Sequence, residues 1–476
     1  MKLFHQTMKA LAVLLLISFA VISYAQQPEL QYFRPWDKEG INTFEPSKKA
    51  EQPAYTGFKI RIGGSFTQDY QRLEHSNSPT YKAVSASDTR NINFLYGVAT
   101  NTVVGGKNTW LINDGDSTTA VLSGFNLAMA NLNLDFQIED GIRVALENYM
   151  SSRHHSEFWV KGGYIQIDKL PMFGNPDWFT NYLRVKIGHF QPNFGDMQFR
   201  RTDGGNTMFN PFVENYLLDA FSTEIGGEVY VFPTNDLMLM VGLSSGFING
   251  NVENYADVPV GNNKEVIKKN PSVFFKAAYD KRFENDLRFR LSASMYNNGS
   301  IQRNTMYAGD RTGSHYFLMM EPALQAGGTA TAQASQFTSG RLNPGISNKL
   351  NAIMINPFIK FKGLEFFGAY EMLKGKNYSE EDDREFTQIA AELLYRIGAK
   401  ENVYVGGRYV QVTGRLAGFT DDIKIDRTAI AAGWFPSKNL LLKGEYVIQN
   451  YKDFPTTDYR YEGKFSGFFV QAVVGF

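Results

Sequence analysis

Apolar and polar side chains alternate over stretches of about ten residues from residue 57 onward. In one stretch Ile389, Leu393 and Tyr395 fall on one side of an extended backbone, whereas Glu392 and Arg396 fall on the other. A β-strand has this period because its successive side chains point to opposite faces. About ten residues is also the length that a tilted strand needs to cross a bilayer. The pattern therefore predicts membrane-crossing strands with one apolar face.

Short and long connections alternate between these strands. Tight turns are predicted at 140–141, 233–236, 282–285, 362–363, 399–401 and 436–439. Long polar segments are predicted at 191–221, 247–270, 297–350, 374–385, 413–425 and 451–464. Outer-membrane barrels have short periplasmic turns at one end and longer extracellular loops at the other. The alternation favours an all-β fold, a transmembrane antiparallel β-barrel.

The pattern predicts about sixteen strands. Their predicted starts are Gly57, Phe125, Gly141, Glu157, Asn181, Ser222, Leu237, Pro271, Asp286, Asn351, Leu364, Phe386, Asn402, Asp426, Asn439 and Ser466. An even number of strands places both termini of the chain on the periplasmic side. Residues 91–100 could form a further strand, although we assign them to a long first loop, and eighteen strands is the alternative.

One face of most predicted strands carries no Asp, Glu, Lys or Arg. A charged side chain on a lipid-facing position costs several kcal/mol near the bilayer midplane, so this exclusion has a physical cause. A soluble sandwich or propeller with one buried face would also explain the alternation. It explains the strand lengths and the alternating connections less well, so we prefer the membrane barrel.

The N-terminal region predicts export. An apolar run at 10–22 follows Lys2 and Lys9 and ends at Ser23-Tyr24-Ala25, which is the pattern of a cleaved secretory signal peptide. We therefore divide the chain into a signal peptide (1–25), a periplasmic leader (26–56) and the barrel (57–476). The leader holds several prolines and no periodic pattern, so we interpret it as a linker in preference to a plug.

Composition limits the remaining classes. The 476 residues include no cysteine, so neither disulfides nor an anchor on an N-terminal cysteine is expected. Lys plus Arg and Asp plus Glu both number 48, and this balance gives no reason to expect a nucleic-acid partner. The sequence has no P-loop, no dinucleotide-binding fingerprint and no zinc-ligand spacing, so no cofactor and no metal are expected.

The last residues, FSGFFVQAVVGF, alternate to the end of the chain. Phe468, Val470, Val474 and Phe476 lie on one fully apolar face. This ending resembles the C-terminal assembly signal of outer-membrane proteins, which implies that Phe476 is recognised by the outer-membrane assembly machinery.

Three internal motifs resemble the phosphate-selective family of outer-membrane porins. They are RVKIGHFQPNFG (184–195), MFNPFVENYLLDAF (208–221) and IGGEVY from Ile225. The resemblance implies a sixteen-stranded, homotrimeric diffusion channel in the Gram-negative outer membrane, in contact with lipid and lipopolysaccharide. It also implies that the third loop, 191–221, folds into the lumen as a constriction, and that small ions and solutes pass it.

Charged side chains at such a constriction set the selectivity of a pore by charge and size. The candidate pore-lining and constriction residues are Arg61, Arg184, Lys186, Arg200, Arg201, Asp203, Glu214, Arg288, Arg290, Arg396, Arg408 and Lys443. Arginine suits contacts with phosphate or carboxylate. The predicted inward faces nevertheless carry twelve basic and ten acidic side chains, so the sequence favours an anion preference only weakly.

We expect a porin and not an enzyme, and two other classes stay open. A barrel enzyme would need a histidine beside a nucleophile near one rim, and the candidates are Ser244, His154, His155, His189 and His315. A plugged receptor or adhesin would use the long segment 297–350, which lacks a strong period and could cap the pore.

Overall fold

The computed structural model describes residues 27–34, 44–48, 50–78, 121–151, 155–202, 207–246, 268–309, 312–321, 338–456 and 458–476, with the backbone alone at 127 and 155–158. Within these ranges the strands form one closed antiparallel barrel, in which each strand pairs with its neighbours along the chain and the last strand pairs with the first. The predicted all-β fold and the predicted number of sixteen strands are confirmed.

The strands are β1 (Lys59–Ser76), β2 (Val121–Glu139), β3 (Ile142–Ser151), β4 (His155–Ile167), β5 (Leu183–Phe190), β6 (Glu224–Val231), β7 (Leu237–Ser244), β8 (Ser272–Arg282), β9 (Arg288–Asn298), β10 (Lys349–Phe361), β11 (Leu364–Lys376), β12 (Arg384–Ile397), β13 (Val403–Gly414), β14 (Ile423–Ser437), β15 (Leu440–Lys452) and β16 (Lys464–Gly475). The largest error in a predicted start is at β2, which begins at Val121 and not at Phe125. The possible extra strand at 91–100 lies outside the described residues.

Strand alternation separates an apolar exterior from a polar interior. In β12 the outward Ile389, Leu393 and Tyr395 are exposed, while the inward Gln388 and Glu392 are buried. This is the arrangement that a bilayer requires, because a closed barrel pairs its backbone groups internally and presents apolar side chains to lipid. Among the described residues, no helix is long and apolar enough to cross a membrane.

Some charged side chains do point outward, contrary to the exclusion that the sequence suggests. Arg72 and Glu74 are exposed on β1, and Glu385 is exposed on β12. All three lie near the strand ends at the edge of the apolar belt, where a charge costs about 0–1 kcal/mol instead of several.

The two ends of the barrel differ in their connections. At the turn end, where β16 finishes, tight hairpins include Lys362-Gly363, whose φ values of 46° and 83° match a type I′ turn. A longer connection there, 168–182, contains a 3₁₀ turn (Pro171–Phe173) and the short helix α1 (Asp177–Tyr182), neither of which the sequence pattern predicts. The opposite, loop end carries the long segments between β5 and β6 and between β9 and β10.

The last residue closes the barrel at the turn end. The Phe476 N–H donates to the carbonyl of Gly64 and the Gly64 N–H donates to the carbonyl of Phe476, both at 3.0 Å. The Phe476 ring is half exposed on the outer surface. Its position beside the seam between β1 and β16 is compatible with the predicted assembly signal, which remains a prediction.

Three segments fold inside the barrel. They are the described residues of the N-terminal segment (27–58), of the inner loop (191–223, between β5 and β6) and of the long loop (299–348, between β9 and β10). The sequence favours a linker for the first of these, but Gln31, Tyr32, Phe44 and Lys48 are each 5% exposed or less. The Gln31 side chain reaches Gln137 and Asp140, so the described part of the leader packs against the turn end of the inner wall.

Replacing an outward side chain at mid-strand by arginine should destabilise the barrel. Ile430 lies at the centre of β14 and is 64% exposed on the outer face. We expect Ile430→Arg to lower the free energy of unfolding in lipid vesicles by about 2–4 kcal/mol. Ser437→Arg, at the exposed end of the same strand, is the control and should change it by about 1 kcal/mol or less. Equal effects in the two variants would contradict the assignment of this face to lipid.

Candidate functional site: the barrel interior

Buried ion pairs join the inner loop to β11–β13. Arg200 contacts Glu365 on β11 at 2.9 Å and Glu392 on β12 at 2.8 Å, and all three side chains are fully buried. Arg396 and Arg408, on β12 and β13, complete the group by pairing with Glu365 and Glu392 at 3.0 and 2.7 Å. Buried charges are stable only when they are paired in this way. The contacts therefore hold the inner loop against β11–β13.

Backbone groups of the inner loop extend this attachment to β15. The Lys443 ammonium donates to the carbonyls of Thr207, Asn210 and Phe212 at 3.2, 2.9 and 2.9 Å. The Val213 N–H donates to the Glu445 carboxylate at 2.9 Å. A loop buried inside a barrel must satisfy its backbone in this manner, because little water is available to it.

Glu214 joins the inner loop to the long loop. Its carboxylate accepts a hydrogen bond from Arg341 at 2.7 Å and one from the Ser314 hydroxyl at 2.6 Å. Burial by itself would raise the pKa of Glu214, but Arg341, with His315 and Arg427, outweighs burial and lowers it to about 2. Glu214 is therefore an anion at neutral pH that holds the two loops together.

The long loop occupies the loop end of the lumen, where it contacts β11–β16 and also Asn126 of β2 and Lys161 of β4. Tyr307 donates to Glu371 at 2.6 Å, and the Met320 N–H donates to the ring of His75 at 3.0 Å. Tyr316 is hydrogen-bonded to Glu445 and is 1% exposed. The described parts of this loop thus lie inside the barrel, and the side formed by β11–β16 is closed.

The opposite side of the lumen keeps open space. Two cavities of about 170 and 110 Å³ lie along the inner face of β2–β6. They share lining residues, among them Arg34, Arg143, Tyr164 and Lys186, so they are neighbouring parts of one space. We refer to them together as the wall cavities. For comparison, a cavity of about 150 Å³ accommodates benzene, so the space suits one small solute at a time.

The wall cavities are predominantly basic. Their lining includes six basic side chains, Arg34, Arg143, Lys161, Arg184, Lys186 and Arg201, against three acidic ones, Glu45, Asp135 and Glu147. Several of the cations lie on aromatic rings: Lys186 is 4.2 Å from the centre of Phe190, and Arg201 is 4.4 Å from that of Phe221. Such stacking fixes the direction of a long basic side chain. Four of the six cations also pair with carboxylates: Arg143 with Asp135, Arg184 with Asp168, Lys186 with Glu228 and Arg201 with Asp219.

A larger vestibule of about 1080 Å³ opens at the turn end. Its lining includes Arg61, Arg288 and Phe476 together with residues of the N-terminal segment. Tyr32, Phe44, Glu45 and Pro46 line both this vestibule and the smaller wall cavity. The N-terminal segment is therefore the partition between the vestibule and the wall cavities.

The predicted site residues divide between these regions. Arg184, Lys186 and Arg201 line the wall cavities, and Arg61 and Arg288 line the vestibule. Those enclosed in buried contacts are Arg200, Glu214, Arg290, Arg396, Arg408 and Lys443. Asp203 lies outside the described residues. The predicted set thus contains residues that line open space and residues that are enclosed in contacts. Two of the lining residues, Arg184 and Arg201, also form buried ion pairs, with Asp168 and Asp219.

Three charged residues of this region were missed by the sequence analysis. Arg34 and Glu45 belong to the segment that the sequence presents as a linker. Lys161 is the extra residue of a β-bulge, because β3 pairs Glu147 with Gly162 and Asn148 with Val160. A bulge breaks the period of two and turns an additional side chain inward, which alternation alone cannot reveal.

The residues considered for an enzyme do not form one site among those described. The Ser244 hydroxyl on β7 bonds to Glu224. His315 instead pairs with Asp69 on β1, across the barrel from β7, and His189 lies on the outward-facing side of β5. His154 lies outside the described residues, as does the side chain of His155. The described residues also contain no cluster of three or more His, Asp or Glu that could hold a metal ion.

No protein-family model and no curated protein matches this sequence. Solved structures with a similar strand arrangement include the anion-selective porin from Comamonas acidovorans, at 10% identity over 88% of this chain and 100% of that one, with a TM-score of 0.49. The outer-membrane channel DcaP of Acinetobacter baumannii is 11% identical over 90% of this chain and 100% of that one, with a TM-score of 0.46. OmpT of Vibrio cholerae is 9% identical over 90% of this chain and 100% of that one, with a TM-score of 0.45. Identities this low assign neither a family nor a solute to this chain, and the resemblance to phosphate-selective porins is not confirmed.

Removing the charge of Glu392 should release the inner loop. Glu392→Gln leaves Arg200 and Arg408 without a shared carboxylate in a buried environment, which should cost about 3–5 kcal/mol of unfolding free energy. We expect trypsin to cleave the folded variant after Arg200 or Arg201, both of which are buried in the parent. Glu401→Gln, which breaks the partly exposed pair with Lys360 at 2.9 Å, should cost about 1 kcal/mol or less. Resistance of Glu392→Gln to trypsin would contradict the proposed attachment.

Acid should weaken the contact that Glu214 makes between the inner loop and the long loop. The folded-state pKa of Glu214, about 2, lies below its ordinary value of 4.5, so its contribution is complete above pH 4.5 and is lost as the pH falls toward 2. We expect a loss of about 3 kcal/mol over that interval from this group. Urea unfolding between pH 6 and pH 2.5 measures it. Glu214→Gln should show a flatter dependence on pH than the parent, and identical slopes would disprove the effect.

Proposed function

We propose that the protein is a channel of the Gram-negative outer membrane that admits small anionic solutes, and that it is not an enzyme. The basic lining of the wall cavities is the observation that carries this proposal. Basic side chains that line a low-dielectric cleft attract anions and disfavour cations. The inner loop acts as the constriction, because it fills one side of the lumen and leaves the solute only the face of β2–β6.

The size of the cavities argues for a narrow channel in preference to a general diffusion pore. A barrel of sixteen strands leaves an aqueous channel when its lumen is empty. Here the inner loop and the long loop fill much of the lumen, and each wall cavity has the volume of a single small molecule. Phosphate and small carboxylates both match the lining chemistry, since arginine and lysine bind either.

Outer-membrane location, export by a cleaved signal peptide and a homotrimeric state belong to the same proposal. The apolar belt supports the location. The trimer rests on the resemblance of the motifs to porins. Gel migration without heating, followed by mass measurement of the native complex, tests the trimer directly.

Ion selectivity in a planar bilayer tests the channel. Under a salt gradient, the reversal potential of the purified protein should favour chloride over potassium. Lys186→Gln removes one charge from both wall cavities, and we expect the chloride-to-potassium permeability ratio to fall severalfold. Lys281→Gln, at the turn end and 41% exposed, removes an equal charge outside the cavities and should leave the ratio unchanged. Cation selectivity of the parent would refute the anion preference.

A plugged receptor is the second candidate, and the burial of the long loop favours it. The described residues of 299–348 include Tyr316 and Met319, which are 1% and 0% exposed inside the barrel. A folded, heat-modifiable barrel without any conductance would support this candidate over the channel.

A further inference from the structure

Glu45 places a carboxylate between two cations of the barrel wall. Its Oε1 lies 2.7 Å from the Lys276 ammonium on β8, and its Oε2 lies 2.7 Å from the Arg290 guanidinium on β9. The Asn193 side-chain amide donates to Oε1 at 2.9 Å. Burial would raise the pKa of Glu45, but Arg290 and Lys276 outweigh burial and hold it well below its usual range. The segment thus brings an ionised carboxylate into a formed anion site.

The wall side of this site is built without Glu45. Asp196 of the inner loop bonds to Arg290 through both carboxylate oxygens at 2.8 Å and lies 2.8 Å from the Lys276 ammonium. Asp196 is itself held by the Ser292 hydroxyl and by the side chain of Asn356. If Glu45 leaves, the two cations keep Asp196, and Arg290 also keeps a contact with Asp280 at 3.4 Å. Asp280 is already paired with Arg288 at 2.6 Å. The site then carries one positive charge in excess, which a solute carboxylate can neutralise with the same two contacts.

The site lies at the partition between the two open spaces. Glu45 lines the vestibule and also the smaller wall cavity. Beside it, Phe44 packs edge-on against Phe199 and Phe358 with ring centres 5.6 and 5.4 Å apart. A solute that enters at the turn end therefore meets the Glu45 site before it can reach the wall cavities.

Lys48, a second contact between the segment and the wall, also has a substitute on the wall side. Lys48 contacts Asp168 at 3.2 Å, but Arg184 contacts the same carboxylate at 2.8 Å. Departure of Lys48 therefore leaves Asp168 paired. Burial lowers the pKa of Lys48 to about 8, despite the opposing effect of Asp168. Release of Lys48 into water therefore removes the free-energy cost of keeping its charge desolvated.

From these contacts we propose that Glu45 is a tethered competitor for a carboxylate-binding site formed by Lys276 and Arg290. A carboxylate solute in the vestibule displaces it, the N-terminal segment moves away from the wall, and the vestibule becomes continuous with the wall cavities. This rests on the proposed channel and adds to it a substrate class, small carboxylates, and an opening step that the substrate itself drives.

Trypsin cleavage after Lys48 tests the displacement without any need for conductance. Lys48 is 5% exposed when the segment is docked. The full barrel, carrying Lys49→Gln so that Lys48 reports alone, is treated in lipid vesicles with acetate or succinate against chloride at equal ionic strength. We expect the carboxylates to accelerate release of the peptide that ends at Lys48, identified by mass, by about tenfold or more at saturation, the factor that corresponds to 1.4 kcal/mol.

Two matched variants identify the residue responsible. Glu45→Gln should be cleaved rapidly without any carboxylate and should no longer respond to one. Glu51→Gln, which removes an exposed carboxylate of the same segment, should behave like the parent. Equal cleavage of the two variants would overturn the proposal, as would equal acceleration of the parent by inorganic phosphate or chloride. Heat-modifiable migration of each variant in gels verifies that its barrel is folded.

The outcomes separate this proposal from that of the channel. Carboxylate-driven cleavage in a barrel that never conducts would establish the site and refute the channel. A conducting barrel in which Glu45→Gln changes neither cleavage nor conductance would leave the channel intact and refute the competitor.

Discussion

The pairing of inward-facing charges decides how much of this barrel stays open. Lipid excludes charged side chains from the middle of the outer surface, so charged residues of the membrane-crossing strands point into the lumen. Once there, each charge must find a partner or water. On the side of β11–β15 the partners come from the inner loop, as where Arg200 joins Glu365 and Glu392. On that side the charges are buried and paired, as in the interior of a soluble domain. The open cross-section of the lumen is therefore much smaller than that of an empty barrel.

This constraint also explains which features could be predicted from the sequence. The period of two, the strand lengths and the alternation of short and long connections all follow from a bilayer around a closed barrel. They gave the right number of strands and a start for β2 that differs by only a few residues. The outward charges at Arg72 and Glu74 depart from the pattern, because β1 extends beyond the apolar belt.

The functional interior was harder to predict, since it depends on contacts between distant segments. Nothing in the local sequence distinguishes Arg201, which lines a cavity, from its neighbour Arg200, which is enclosed by two carboxylates. The inward position of Lys161 depends on a bulge whose register is set by β3. Glu45 lies in a proline-containing stretch with no periodic pattern, and its partners on β8 and β9 are more than 200 residues away.

A count of lumen charges therefore misleads unless paired and exposed charges are separated. Twelve basic against ten acidic inward positions suggest near neutrality, yet the acidic groups Glu365, Glu392 and Glu445 are consumed in holding the inner loop and the long loop. The wall cavities are lined by six cations and three anions, and four of the cations pair with Asp135, Asp168, Asp219 and Glu228. One of the lining anions, Glu45, is carried by the N-terminal segment and not by the wall. In the proposed opening step, withdrawal of that segment removes one negative charge from the partition between the vestibule and the wall cavities. The proposal therefore makes selectivity and opening depend on the same charge, the carboxylate of Glu45.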